Sequence, residues 1–273
     1  MGTYRPSRRH VVGLVAAAAL VLLLGACGGN GGGGSSTPAA TRSPAPATGT
    51  RAAGTPSATA TAPSGGAKVN DEPVAFATTD GVTIRGHLYS TPGPQRKAVI
   101  FAHMFPSDQR SWTAFAQEVA ATGIAALTLD FRGYGETGGS KDVPKIDRDL
   151  SAAVRFLKAR DYPQVYLVGA SMGGTAALKV AVAESVAGVV TVSAPVEFQG
   201  LDARNDVPTL RMRLLFIASR DDGSAPASAG FFMQNAPGQR DAQILEGSAH
   251  GTDLLKGSQA SAFKQLVLDF LNR

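Results

Sequence analysis

Short apolar runs alternate with amphipathic segments through most of this 273-residue chain. Two strand-like runs between residues 73 and 90 flank Asp80-Gly81, a residue pair typical of a β-hairpin turn. Apolar runs at 97–102 and 124–130 predict two buried strands. Between them, an amphipathic helix within 108–123 is predicted by apolar residues at helical spacing, namely Trp112, Phe115, Ala116, Val119 and Ala120.

The same alternation continues to the C-terminus. Further strands are predicted at 164–169, 188–194, 213–219 and 242–247, and further helices at 144–160, 172–184, 227–236 and around 263–271. A hairpin followed by repeated strand–helix units predicts an α/β fold. We expect a mostly parallel sheet of about eight strands with helices on both faces. Ligands of such sheets bind at the carboxyl ends of the strands.

The N-terminus has a different pattern, a basic segment followed by the uncharged apolar run 11–26. A helix of this run would reach about 24 Å, less than the ~30 Å hydrocarbon core of a bilayer. The sequence "LGAC" at 24–27 resembles a bacterial lipobox, in which the cysteine receives the lipid. We therefore expect 1–26 to be a lipoprotein signal peptide and Cys27 to be lipidated. An ordinary signal peptide and an uncleaved anchor are the alternatives.

Residues 27–67 contain Cys27 and then mainly Gly, Ser, Thr, Ala and Pro. Such a composition lacks the large apolar groups that offset ordering entropy, and so it predicts a disordered linker. A flexible coil of this length spans roughly 35 Å. The expected organisation is a folded domain at 68–273, tethered by lipid to the extracytoplasmic face of the cell membrane.

The net charge of +5 and the isoelectric point near 9.5 do not indicate nucleic-acid binding. The first 67 residues contain five arginines and no acidic residue, so the remaining 206 residues hold 21 basic and 21 acidic side chains. The folded part is thus formally neutral and has no long basic run, which argues against a nucleic-acid partner. The single cysteine excludes an intrachain disulfide.

Ser171 lies between a predicted strand and a predicted helix, within the sequence Gly169-Ala170-Ser171-Met172-Gly173. This G-x-S-x-G pattern in this context predicts a sharp turn that exposes a nucleophilic serine at a helix N-terminus. The competing use of such a turn is dinucleotide binding, with the pattern G-x-G-x-x-G. Ser171 occupies the second glycine position of that pattern, which disfavours this alternative.

A nucleophilic serine needs a base, and the base needs an orienting acid. Of the four histidines, His250 follows the last strand, is flanked by small residues and comes late in the chain, so we expect it to be the base. Asp221 and Asp222 follow the strand at 213–219 and are both candidates for the acid.

Five segments together resemble the α/β-hydrolase superfamily in a small lidless form. These segments follow the family's order and cover about 74–273, and they are "FAHMFPSD", "LDFRGYGETGG", "VGASMGG", "SRDDGSAP" and "GSAHGTDLL". Aligning "ASRD" with the family's acidic turn selects Asp221 over Asp222. Some members place the acid one strand earlier, where Glu197 and Asp202 would compete.

The resemblance also implies roles for backbone groups and for loops. The N–H groups of Met104 and Met172 are expected to form the oxyanion hole, the first donor lying somewhere within 103–105. His103-Met104 departs from the family's His-Gly pair, and His103 is expected to brace the loop. Asp130 and the turn after it are expected to be structural.

Together these expectations predict a serine hydrolase that needs no cofactor and no metal. A carboxylesterase is the preferred interpretation. The 19 residues 194–212 leave room for a short helix and for no cap domain, which favours short-chain or exposed esters. The expected partners of the enzyme are a small-molecule or polymer-end ester and the membrane, and we expect the protein to be a monomer. A peptidase, a thioesterase and a non-catalytic binding lipoprotein on the same scaffold are the alternatives.

Overall fold

The structure is a computed structural model that describes residues 68–273. The predicted signal peptide, the lipidation of Cys27 and the predicted linker lie outside these residues. Within 68–273, no helix combines the length and the apolar character that crossing a membrane requires.

A single eight-stranded sheet organises the described part of the chain. Its strands, in chain order, are β1 (Asn70–Ala77), β2 (Thr83–Ser90), β3 (Lys97–Ala102), β4 (Ala125–Asp130), β5 (Gln164–Ala170), β6 (Gly188–Val192), β9 (Arg213–Ser219) and β10 (Arg240–Leu245), and the short strands β7 (Glu197–Phe198) and β8 (Leu201–Asp202) form a separate hairpin. The order across the sheet is β1-β2-β4-β3-β5-β6-β9-β10. Only β2 runs antiparallel to the other strands, pairing with β1 and β4. The parallel strands β3, β4, β5, β6, β9 and β10 therefore end at one common edge.

Five helices cover the two faces of the sheet. They are α1 (Thr113–Ala121), α2 (Ile146–Ala159), α3 (Met172–Ala183), α4 (Ala225–Asn235) and α5 (Ala260–Asn272). One buried cluster joins α2, α3 and α4 to the sheet, and the other joins α1 and α5 to the opposite face. The central strands β4 and β6 are buried along their whole length, which explains why they read as continuous apolar runs.

The predicted fold class is confirmed, and most predicted elements differ from the structure only at their ends. The segment 194–212 folds as the β7–β8 hairpin and a 3-10 turn at Val207–Thr209 rather than as a short helix. Pro195 and Pro208 lack the N–H groups that a helix interior uses, which is consistent with this difference. No cap domain covers the sheet edge in the described residues.

A buried ion network fixes the hairpin of β1 and β2 to the loop after β4. Arg132 donates to Asp149 Oδ1 at 2.6 Å and to Asp80 Oδ2 at 2.8 Å. Its guanidinium is 6% exposed and the Asp149 carboxylate is fully buried. The hydrogen bonds to Arg132 lower the pKa of Asp80 and raise that of Arg132, so both groups stay charged.

Candidate active site

Ser171 lies at the sharp turn between β5 and α3. Its backbone has φ 48° and ψ −120°, an unfavourable conformation for a residue with a side chain, which costs on the order of 1–3 kcal/mol. The flanking glycines permit close packing, because a Cβ at Gly169 would lie 2.3 Å from the Gly173 carbonyl oxygen. A Cβ at Gly173 would lie 2.5 Å from the Ala102 carbonyl oxygen. The turn therefore requires both glycines of the motif.

His250 is held by Asp222. The His250 Nδ1 atom lies 2.8 Å from Asp222 Oδ1 and 3.0 Å from Oδ2. Because a carboxylate oxygen only accepts hydrogen bonds, the proton of the neutral imidazole is assigned to Nδ1. This leaves Nε2 as an acceptor, which is the form that a general base needs. The Asp222 side chain is 10% exposed and the His250 side chain 42% exposed.

The expected pairing of His250 with Asp221 is wrong by one position. The Asp222 N–H donates to the Ser219 carbonyl at 3.2 Å, closing a turn directly after β9. This turn brings Asp222 back towards the sheet edge, whereas the Asp221 side chain is exposed at the corner. The other acidic candidates, Glu197 and Asp202, belong to the β7–β8 hairpin and do not pair with His250.

Ser171, His250 and Asp222 line a common cleft of about 320 Å³ at the carboxyl edge of the sheet. Its other walls are formed by Ser193, Pro195, Phe198, Gly223, Ser224 and Ala225. Ser171 is 6% exposed. Among the described residues, no hydrogen bond joins Ser171 Oγ to His250, and such bonds often shorten only when a substrate is bound.

Two buried serines that the sequence analysis missed fix the backbone on either side of His250. Ser219, the last residue of β9, donates its hydroxyl to the Ala249 carbonyl at 2.6 Å. Ser193, just after β6, accepts the Gly251 N–H on its Oγ at 3.0 Å. The pair Ser193 and Ser219 therefore clamps the histidine loop to the sheet edge. The available signal was a serine at or near the end of each of two neighbouring apolar runs.

The second serine with a strained backbone is Ser193 itself. Its φ is 54°, and its N–H donates to the Ile217 carbonyl at 2.8 Å. Gly251 also has a positive φ, and a Cβ there would lie 2.7 Å from Met104 Sδ. The histidine loop thus packs directly against the loop after β3.

His103 braces the loop after β3, as the family resemblance implies. The Phe131 N–H donates to His103 Nε2 at 3.1 Å, so the ring proton lies on Nδ1, which donates to the Met104 carbonyl at 3.0 Å. Burial lowers the pKa of His103 and keeps it neutral. The Met104–Phe105 peptide bond is trans. The Phe105 N–H therefore points away from the Met104 carbonyl that accepts the hydrogen bond of His103.

The backbone donors expected at the oxyanion hole stay predictions. The Met172 N–H is at the first position of α3, where the helix offers no acceptor. Within residues 68–273, the N–H groups of Met104 and Phe105 also have no acceptor. The first donor is therefore still expected within 103–105, at Met104 or at its neighbour Phe105.

Asp130 has a structural role. Its carboxylate accepts the N–H groups of Gln109 and Glu136, each at 2.8 Å, and the Gln109 side-chain amide at 2.9 Å. It therefore joins the loops after β3 and β4. His87 is not part of the cleft. It lies on the β1–β2 hairpin, where its Nδ1 pairs with Asp71 at 2.6 Å.

The fold and this cleft together define an α/β hydrolase: a strained serine turn after a central parallel strand, followed in the chain by an acid and a histidine that meet at the same edge. The sequence profile described as the alpha/beta hydrolase family matches residues 99–269. The chain belongs to this family.

Characterised relatives match only parts of the chain. The thiohydrolase apmlB of Arthrinium phaeospermum is 31% identical over 177 residues, which are 60% of this chain and 55% of that protein. The monoacylglycerol lipase of Mycolicibacterium smegmatis is 30% identical over 105 residues, 36% of this chain and 37% of that protein. The matches thus span about half or less of these curated relatives.

Solved structures share the fold more completely. The Pyrococcus furiosus esterase Pf2001 superposes with a TM-score of 0.63 at 20% identity, covering 75% of this chain and 91% of that one. A dienelactone hydrolase from Anabaena variabilis gives the same TM-score and identity over 74% of this chain and 96% of that one. These likenesses show the fold.

Proposed function

We propose that this protein is a serine hydrolase, most favourably a carboxylesterase, acting through Ser171, His250 and Asp222. The observation that carries the proposal is the pairing of His250 Nδ1 with the Asp222 carboxylate in the cleft that Ser171 lines. That pairing leaves Nε2 available to accept the serine proton. It also stabilises the imidazolium that forms when the proton is transferred.

The reaction proceeds by acyl transfer in two halves. Ser171 Oγ attacks the carbonyl carbon while His250 Nε2 takes its proton, and the N–H of Met172 and that of Met104 or Phe105 stabilise the oxyanion. His250 then gives the proton to the leaving alcohol, and an acyl-enzyme remains. Water, deprotonated by His250, repeats the sequence and releases the acid and the free serine.

The shape of the site favours short or exposed esters. His250 is 42% exposed, and in the described residues only the β7–β8 hairpin and the 3-10 turn stand between β6 and β9. A bulky polymer end could therefore approach the carbonyl, while a long lipid chain would find little apolar cover. A thioester is the second candidate substrate, supported by the thiohydrolase name of one relative.

Export and lipid anchoring are part of the same proposal. The support is the basic and apolar segment 1–26, the lipobox-like "LGAC" and the linker composition of 27–67. Radiolabelled palmitate supplied to the expressing bacterium should label the wild type and leave Cys27→Ser unlabelled. Equal labelling of both, or of neither, would contradict the anchor without bearing on the hydrolase.

The test of the activity is hydrolysis of nitrophenyl esters across an acyl-length series. We expect turnover that is greatest for the short acyl groups and that disappears in Ser171→Ala. A folded protein that hydrolyses no member of the series, and no matched thioester, would overturn the enzyme proposal and favour a binding lipoprotein.

A further inference from the structure

An aromatic patch continues the cleft beyond Ser171. The patch consists of Phe105, Tyr134 and Phe198, and Phe198 lines the cleft itself. The Phe105 ring lies 5.7 Å from the Phe198 ring and 6.5 Å from the Tyr134 ring, centroid to centroid. Phe105 is 38% exposed, so it presents a large apolar surface to solvent at the cleft mouth. Such a surface is suited to covering an apolar part of a ligand.

A cationic group is placed on this patch. Lys141 Nζ lies 4.7 Å from the centroid of the Tyr134 ring and 5.5 Å from that of Phe105. Tyr134 in turn contacts the residue after the nucleophile, its Oη lying 3.9 Å from Met172 Sδ. The ammonium is thus linked by direct contacts to the turn that carries Ser171.

Among residues 68–273, Lys141 forms no salt bridge with a carboxylate. The adjacent acid, Asp142, pairs instead with Lys145 at 2.6 Å. Lys141 therefore has donors left for an anion at the cleft mouth.

The backbone beneath Lys141 is fixed in advance. The Gly133 N–H donates to the Gly138 carbonyl at 2.7 Å, which closes the loop after β4. The loop then packs so tightly that a Cβ at Gly133 would lie 2.3 Å from the backbone nitrogen of Lys141. A preformed position reduces the ordering cost when a ligand binds.

A second groove also carries basic side chains. It has a volume of about 570 Å³ and lies between the loop after β3 and the segment after His250. Its basic groups are already paired, Arg110 with Asp108, Lys256 with Asp253 at 3.2 Å and Lys264 with Glu118 at 2.6 Å. Lys141 on the aromatic patch is therefore better suited to attract an anion than the basic groups of this groove.

We propose that Lys141 and the aromatic patch form a specificity subsite for esters that carry a carboxylate beside a flat apolar group. The subsite rests on the proposed hydrolase function and names its substrate class. The flat group lies against Phe105 and Phe198, and the carboxylate accepts hydrogen bonds from the Lys141 ammonium. The ester carbonyl then lies at Ser171.

Matched substrate pairs test the subsite in the full-length protein. One pair is 4-acetoxybenzoate and its methyl ester, with the charge on the alcohol half. The other has nitrophenyl esters of equal chain length whose acyl group ends in a carboxylate or in its methyl ester. For at least one pair, we expect Lys141→Gln to lower kcat/KM for the anionic member about three- to fivefold and to leave the neutral member unchanged.

Lys256→Gln is the matched control, because it removes an exposed ammonium from the second groove. It should leave the preference for the anionic member unchanged. Lys141→Glu should reverse that preference, and added salt should weaken it in the wild type. Equal effects of Lys141→Gln on both members of both pairs would overturn the subsite.

A binding measurement separates this subsite from the hydrolase proposal. Ligand-observed NMR of 4-acetoxybenzoate with Ser171→Ala should show binding that the added Lys141→Gln change weakens about three- to fivefold. Such binding without turnover in the wild type would overturn the hydrolase alone. Turnover without any effect at Lys141 would overturn the subsite alone.

Discussion

The Asp222 carboxylate meets the His250 imidazole through both of its oxygens, at 2.8 and 3.0 Å, although Asp221 precedes it in the chain. The turn after β9 separates the two acids, since it brings one to the sheet edge and leaves the other exposed. Because their positions differ, replacement of each acid by asparagine should have a different effect on activity.

Asp222→Asn should lower kcat for a short-chain ester about 10³- to 10⁴-fold, because an amide no longer fixes the proton on Nδ1 or stabilises the imidazolium. Asp221→Asn should stay within about twofold of the wild type, since an exposed turn residue carries little of the function. Steady-state hydrolysis of a nitrophenyl ester measures both. A larger loss in Asp221→Asn would contradict the assignment of the acid.

The serine clamp of Ser193 and Ser219 predicts a positioning effect on His250. Ser219→Ala removes the hydroxyl that binds the Ala249 carbonyl, and Ser193→Ala removes the acceptor of the Gly251 N–H. Each change should lower kcat about tenfold and leave KM nearly unchanged, because the loop then holds the base less accurately. Steady-state kinetics resolve the two parameters.

A purely structural role for these serines would give a different result. Ser219→Thr keeps the hydroxyl and should restore most of kcat, which makes it the control for Ser219→Ala. Urea unfolding should show a loss of about 1–3 kcal/mol for the alanine variants. If kcat stayed at the wild-type value while stability fell, the clamp would have no part in positioning the base.

The buried pair of Arg132 and Asp149 should dominate the stability of the loop after β4. Asp149→Asn leaves a nearly buried guanidinium with an uncharged neighbour and should lower the free energy of unfolding by about 3–5 kcal/mol. Asp80→Asn is the control and should cost less, since the Asp80 side chain is 24% exposed. Equal costs in denaturant unfolding would show that burial does not set the effect.

His103 should make stability depend on pH. Burial holds its pKa in the folded protein below the ordinary value of 6.5, so above that pH both states are neutral and its contribution is complete. As the pH falls below 6.5, the unfolded state binds the proton first and stability is lost, by up to about 1.4 kcal/mol per pH unit until the folded pKa is reached.

The His103→Gln variant isolates this effect. Its unfolding free energy, measured in urea at about pH 7.5 and 5.5, should change less between the two values than that of the wild type. His87→Gln, at the surface pair with Asp71, should keep the wild-type difference. A wild-type protein that is more stable at the lower pH, with the difference removed by His103→Gln, would contradict a buried neutral imidazole.

The central strands could be predicted because they are buried along nearly their whole length, whereas the edge strands β1 and β10 are not. β3 at Lys97–Ala102 and β9 at Arg213–Ser219 match the predicted runs at both ends. The positions of Ser171 and His250 in one cleft could also be predicted, since Ser171 lies between glycines at a strand–helix turn and His250 follows the last strand. Both depend on local sequence and chain order.

The pairing of Asp222 with His250, the serine clamp and the position of Lys141 on the aromatic patch depend on turn geometry and on contacts between distant segments. Asp221 and Asp222 have the same chemistry and differ by one position, so only the hydrogen bond that closes the turn distinguishes them. Ser193 contacts Gly251, and Lys141 contacts Phe105, across intervals that no local pattern encodes.

The central claim is that Ser171 is the nucleophile, and a fluorophosphonate probe tests it directly. Intact-mass spectrometry of the labelled full-length protein should show one adduct, located at Ser171 by peptide mapping. The adduct should be absent in Ser171→Ala, strongly reduced in His250→Ala and still present in the matched control Ser224→Ala, which alters a serine of the cleft wall. Unchanged labelling of folded Ser171→Ala, or no labelling of a folded wild type, would contradict the account.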